Sequence, residues 1–274
     1  MNPTPPKLFP TAPNLAERRS SSSGLTNFSK HLCSLLLLSL LGAVPLARAA
    51  DTNDFFAQGI AACRAGLFPE AAAAFAAAAA RRPASGTFDN LGIAERQCGH
   101  AGAAILAWER ASWIDPFDRR AQDNLRFARQ VTQLDAPRLK WYEAESAWLP
   151  ASDWVWLAGA GLWLALGALI LPGVFRRRKS GWHQTLSALG LCVFLFSLTA
   201  NFGIASRARL GFVVRKDAQL LLTPTSQGEL VSNLTDGEPA RQLRIHGNYL
   251  LIRTGYATGW IDRSQFSLVC GKTE

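Results

Sequence analysis

The chain has 274 residues, 49% of them hydrophobic, and a formal charge of +9, enough length for two small domains besides any membrane segment. The positive charge is concentrated in two places: Lys7, Arg18, Arg19, Lys30 and Arg48 against Glu17 near the start, and Arg176, Arg177, Arg178 and Lys179 between two apolar runs. The remainder is close to neutral, which argues against a nucleic-acid partner.

Residues 1–31 are rich in Pro, Ser and basic side chains, and the apolar stretch 32–46 runs into Ala47-Arg48-Ala49. Basic, apolar and small-residue parts in that order make a secretory signal. Residues 1–49 are therefore expected to be a signal peptide cleaved after Ala49, and the rest to be exported.

An internal repeat follows. Phe55, Gly59, Gly66, Ala71, Phe75, Ala78 and Pro83 recur 33 residues later as Phe88, Gly92, Gly99, Ala104, Trp108, Ala111 and Pro116. The small residues let two antiparallel helices approach, Gly66 and Gly99 suit the turns between them, and each Pro stops a second helix. Asn124-Leu125-Arg126-Phe127-Ala128 echoes Asn90-Leu91-Gly92-Ile93-Ala94 without a further second helix, as a capping helix would. Residues 50–134 thus resemble tetratricopeptide repeats. The resemblance implies a partner-binding face on the first helices: Phe56, Ile60 and Arg64, then Asp89, Ile93, Arg96 and Gln97, with Asp123 and Phe127 from the cap. The alternative use of a two-repeat array is packing against its own membrane segments or its companion domain.

Residues 135–153 read as a juxtamembrane linker whose Trp141, Tyr142 and Trp148 suit an interface. Residues 154–175 and 185–205 contain no Asp, Glu, Lys, Arg or His, and at about 1.5 Å per residue each can cross a hydrocarbon core about 30 Å thick. The loop 176–184 carries Arg176, Arg177, Arg178 and Lys179, which by the positive-inside bias belong in the cytoplasm and determine the topology. Both flanking domains then lie outside it. Gly161 and Ala165 offer a small-residue step for helix packing, and spans without ionisable groups act as a tether rather than a conduit.

Beyond residue 209 the pattern turns to short strands at 210–215, 219–223, 241–245, 249–253 and 258–261, separated by Thr223-Pro224, Asp236-Gly237, Gly247-Asn248 and Thr254-Gly255. Five short strands suggest a small barrel. With the Gly259-Trp260-Ile261 step, residues 206–274 resemble bacterial SH3-like domains. Trp260 is expected in the core in preference to a ligand contact, with Tyr249 and Tyr256 as further ligand or packing candidates.

The four histidines, His31, His100, His183 and His246, fall in four different segments, and no phosphate loop, nucleophile elbow or paired metal ligands are present. Glu143 and Glu145 read as solvated. Cys63, Cys98 and Cys270 contain no CxxC, and three unpaired thiols are preferred to one disulfide plus a free thiol. No cofactor, metal or catalytic residue is expected, and the chain reads as a non-enzyme.

Signal peptide, tetratricopeptide-like helices, two-helix transmembrane hairpin and small all-β SH3-like barrel, in that order, resemble the BatE family of aerotolerance-associated envelope proteins. The fold class is thus a multidomain membrane protein. The resemblance implies a two-pass inner-membrane scaffold with both domains periplasmic. It would work among envelope proteins such as membrane proteins with von Willebrand A domains, and indirectly with a MoxR-type ATPase, in envelope or oxidative-stress survival. The alternative is a cell-wall sensor that binds peptidoglycan peptides.

Overall fold

The computed structural model describes residues 50–174 and 181–270. The expected signal peptide, residues 1–49, and the basic residues Arg176, Arg177, Arg178 and Lys179 lie outside the described residues. Among these there are eight α-helices and one seven-stranded antiparallel sheet.

The 33-residue repeat becomes two helix pairs, α1 (Ala50–Arg64) with α2 (Phe68–Arg81), and α3 (Ser85–Gln97) with α4 (Ala101–Ile114). Each turn is closed by the same two backbone bonds. Gly66 N–H donates to the Cys63 carbonyl and Leu67 N–H to that of Ala62. One repeat later Gly99 donates to Arg96 and His100 to Glu95. This six-to-one closure needs a left-handed residue, and Gly66 and Gly99 have φ of 74° and 80°. The second helices end at Arg82 and Asp115, whose extended backbone is what a following Pro imposes. Inside the pairs the rings of Phe75 and Trp108, both fully buried, rest directly on Gly59 and Gly92. A Cβ at either glycine would come within 2.6 Å of the ring. The next helix, α5 (Arg119–Thr132), is capped by the Asp118 carboxylate, which accepts from the Arg120 and Ala121 N–H groups and from the Ser85 hydroxyl. It buries Ala121, Leu125 and Ala128 against the stack.

The sheet comprises β1 (Leu210–Val213), β2 (Ala218–Leu221), β3 (Leu230–Leu234), β4 (Pro239–His246), β5 (Tyr249–Arg253), β6 (Thr258–Asp262) and β7 (Phe266–Leu268), in the order β3-β2-β6-β5-β4-β1-β7. Five of these follow the expected strands; β3 and β7 are additional. Leu230–Leu234 pairs with β2 although Leu230, Val231 and Asn233 are exposed, so it lacks the alternation that marks a strand in sequence. The three residues of β7 are too few to show a period at all. Period two also places Trp260. Its neighbours Gly259 and Ile261 face the core, so Trp260 points to the opposite face and is only half-buried, not the expected core residue.

Helices and sheet are not separate bodies. Ile105, Leu106 and Trp108 of α4 and Leu125 and Ala128 of α5 share one buried cluster with Leu210, Phe212 and Val269. The Arg110 guanidinium donates to the Ser267 hydroxyl at 3.0 Å and to the Leu268 carbonyl at 2.8 Å, tying α4 to the β7 edge. At the other side of this joint the Asp236-Gly237 turn seats on α4. A Cβ on Gly102 would fall 2.0 Å from Asp236 Oδ1, and one on Gly237 2.6 Å from the Ile105 side chain. From Ala50 onward the described residues form a single compact unit.

Between helices and sheet run α7 (Ala151–Val174) and α8 (Gly181–Arg207), two helices long and apolar enough to span a membrane. Both begin before the apolar runs that mark them in sequence. They meet along Gly161, Ala165 and Gly190, where backbone touches backbone, and Ser187 Oγ donates to the Ala165 carbonyl at 2.9 Å.

The segment expected as a linker contains a short helix, α6 (Trp141–Glu145), laid across the end of α8. Gly203 lies under the Tyr142 carbonyl, where no Cβ would fit. Glu143 and Glu145, read from sequence as solvated, are buried. Thr199 Oγ1 lies 3.0 and 3.1 Å from the Glu145 carboxylate oxygens. Glu143 accepts from Ser206 Oγ at 2.6 Å, from the Lys140 N–H at 2.8 Å and from both Arg241 terminal nitrogens. The partner Arg241 lies in β4, far along the chain, which is why local pattern did not reveal the pair.

Candidate interaction surfaces

Two faces carry the side chains singled out from sequence. The first is formed by α1, α3 and α5. Phe56 and Ile60 pack against the first core cluster, and the Phe56 ring lies 5.5 Å from that of Phe75, so they hold α1 in place. Asp89 is only 2% exposed. It accepts from Asn124 Nδ2 at 2.9 Å, with Arg120 Nε at 3.9 Å, and joins α3 to α5. A buried carboxylate with these partners positions helices and is withdrawn from the surface.

Of the side chains singled out from sequence on α3 and α5, Ile93, Arg96, Gln97 and Phe127 stand in solvent. The Arg96 guanidinium sits 4.6 Å from the centroid of the Phe127 ring. Ile93 is 38% and Phe127 46% exposed, large apolar side chains beside a cation. Arg64, at the end of α1, is exposed as well, and Asp123 is exposed and paired with Arg126 at 3.3 Å. The geometry offers an apolar contact flanked by positive charge, suited to a segment that is partly apolar and partly acidic.

The second face is the outer side of the sheet. Trp260 stands edge-on to the His246 ring, with centroids 6.0 Å apart, and Tyr249 is paired in register with His246 and Asp262. Tyr256 lies between β5 and β6, 65% exposed, with its hydroxyl 3.4 Å from Glu238 Oε2. Trp260, Tyr249 and His246 therefore line one face, and Tyr256 stands apart in a turn.

Neither face assembles a nucleophile with a base. Among the described residues no group of three or more His, Cys, Asp or Glu could hold a metal, and Cys63, Cys98, Cys192 and Cys270 are free thiols. The most deeply buried acid, Glu143, is fully occupied. Burial pushes its carboxyl up, but hydrogen bonds from Arg241, Ser206 and the Lys140 N–H, with the Arg241 charge, outweigh this and hold it below the usual Glu range. A carboxylate so held is poor as a proton donor or acceptor at neutral pH.

Residues that sequence reasoning missed are those of the joints: Glu143, Arg241, Gly102, Arg110 and Arg207. Arg207 is the last residue of α8. Its guanidinium lies 4.5 Å from the Trp113 ring centroid and donates to Ser146 Oγ at 3.3 Å, so it fastens α8 to the helical stack. Glu143 accepts from the Lys140 N–H at the start of α6, half of a capping box, but Lys140 has no acceptor side chain to complete it, so the sequence carries no local signal. No family model, curated protein or solved structure matches the chain.

Proposed function

We propose that the chain is a non-catalytic, membrane-anchored scaffold that holds a protein-docking face on the exported side of a bacterial inner membrane. The observation that carries this reading is the exposed cluster of Ile93, Arg96, Gln97 and Phe127 on a helical stack whose opposite side is occupied by the sheet. With that side closed, the first-helix face is where a partner has room. The repeat geometry of the turns and of Phe75 and Trp108 supports a tetratricopeptide-like stack, and the sheet beyond the hairpin supports an SH3-like module. Two apolar helices without internal charge support a two-pass tether, with the basic loop 176–184 in the cytoplasm. By resemblance to the BatE family, the companions are envelope proteins of the von Willebrand A type, with a MoxR-type ATPase acting indirectly, in envelope or oxidative-stress survival.

The test is co-purification of the full chain in mild detergent. Companions held by the parent protein are lost when Arg96→Glu and Phe127→Ala are combined, while the melting temperature is unchanged. Retention of every companion by that variant would refute the docking role. A second reading, recognition of peptidoglycan peptides, draws on Trp260 facing outward beside Tyr249 and His246. It predicts binding to purified murein that Trp260→Ala abolishes and Arg96→Glu leaves intact.

A further inference from the structure

The short helix α6 presents a surface that neither docking face explains. Trp141 is 72% exposed on it and packs edge-on to Tyr142, with ring centroids 5.5 Å apart. The Tyr142 ring rests 5.3 Å from that of Phe202 on α8, itself 64% exposed. An indole left this bare, one ring removed from an apolar helix end, is a costly arrangement in water. In the headgroup layer of a bilayer it is the favoured one.

Exposed cations stand beside it. Lys140 Nζ lies 5.7 Å from the centroid of the Tyr142 ring, and Arg138 and Arg209 are both exposed. Arg241 brings the two chain segments together. Its Nη2 donates to the Arg138 carbonyl at 3.3 Å, and the next residue, Gln242, donates its N–H to the Arg209 carbonyl at 2.9 Å. The acids of α6 do not balance these cations, because Glu143 is closed on Arg241 and Glu145 is buried against Thr199. Three cations and an exposed indole thus stand where the last turns of α8 leave the apolar span.

We propose that Arg138, Lys140, Trp141 and Arg209 form a docking surface for the headgroups of anionic phospholipids, with Trp141 seated in the interfacial layer. The argument is charge complementarity together with continuity: the surface runs without a break onto Phe202 and so onto the apolar face of α8. Its consequence is orientation. The helical stack and sheet share a core with each other and, through Glu143 and Arg207, are fastened to the same end of α8. A headgroup layer gripped at α6 therefore sets how the docking face stands above the membrane. The inference rests on the membrane reading of α7 and α8, which fails separately if alkaline carbonate releases the full chain from the membrane fraction.

Given retention in that fraction, the test is native mass spectrometry of the full chain in mild detergent with added phosphatidylglycerol, phosphatidylcholine or inorganic phosphate. Phosphatidylglycerol is expected to be retained over phosphatidylcholine, and phosphate not to displace it. The preference should fall roughly fivefold per cation removed in Arg138→Gln, Lys140→Gln and Arg209→Gln, from about 1 kcal/mol for each basic residue near an anionic surface. Trp141→Ala should weaken retention of both lipids and leave the charge preference. The bonds made by the Arg138 carbonyl and the Lys140 N–H survive these changes, and an unaltered melting temperature confirms the fold. Equal retention of the two lipids by the parent protein, an unchanged preference in the triple variant, or displacement by phosphate would each overturn the proposal.

Discussion

The Arg241 guanidinium donates two hydrogen bonds to the Glu143 carboxylate, at 2.7 and 2.6 Å, joining residues 98 positions apart. One partner precedes the two apolar helices and the other follows them, and Ser206 at the end of α8 donates to the same carboxylate. A single acid thus holds the short helix, the apolar helix α8 and the sheet together. Breaking a buried pair by removing one partner costs about 3–5 kcal/mol. Glu143→Leu should fall toward the lower end, because a quarter of the Arg241 side chain is exposed and can recover water. Adding Arg241→Met should cost less than the sum of the two single changes in thermal unfolding of the detergent-solubilised chain.

The same pair makes stability depend on pH. The Glu143 carboxyl is held below its ordinary value of about 4.3, so its contribution is complete above that value and is lost as pH falls through the lower folded value. Melting temperature should drop in acid more steeply for the parent chain than for Glu143→Gln, which has no carboxylate to protonate. Parallel curves would show that the pair is not the acid-sensitive element.

Gly102 tests the joint between helices and sheet. An alanine Cβ would lie 2.3 Å from the Val213 carbonyl and closer still to Asp236, so the Asp236-Gly237 turn must lift away. Gly102→Ala is expected to cost about 1–3 kcal/mol, as overpacking does. It should also open a new cleavage site between α8 and β4 in limited proteolysis. Gly86→Ala, a helix position with open space around it, should be neutral or mildly stabilising.

Within the repeat, Gly92→Ala should force the Trp108 ring out of its seat and destabilise the stack. Combining it with Trp108→Leu should cost less than the two changes added, since both act at one contact. Thermal melts of the four proteins in the cycle give the coupling directly.

Sequence reasoning found what repeats or runs. The seven residues shifted by 33 foretold the turns at Gly66 and Gly99 and the close helix approach at Gly59 and Gly92, because each repeat must satisfy the same local geometry. The two long apolar helices were legible from their length and freedom from charge. Contacts between distant segments were not. Nothing local marks Arg110 as the partner of Ser267, 157 positions away, or Asp89 as the partner of Asn124. Hence Asp89 read as surface when it is interior, and Glu143 and Glu145 as solvated when they are buried. Trp260 was misplaced for a different reason: of two large neighbours in a strand only one can face the core, and Ile261 occupies that side.

In the proposed scaffold, helical stack and sheet are one body held on the exported side by a two-pass tether. A reporter active only outside the cytoplasm, fused in turn after Lys179 and after Cys270, measures this most directly. A silent fusion at Lys179 and an active one at Cys270 are expected. Activity at Lys179, or silence at Cys270, would contradict it.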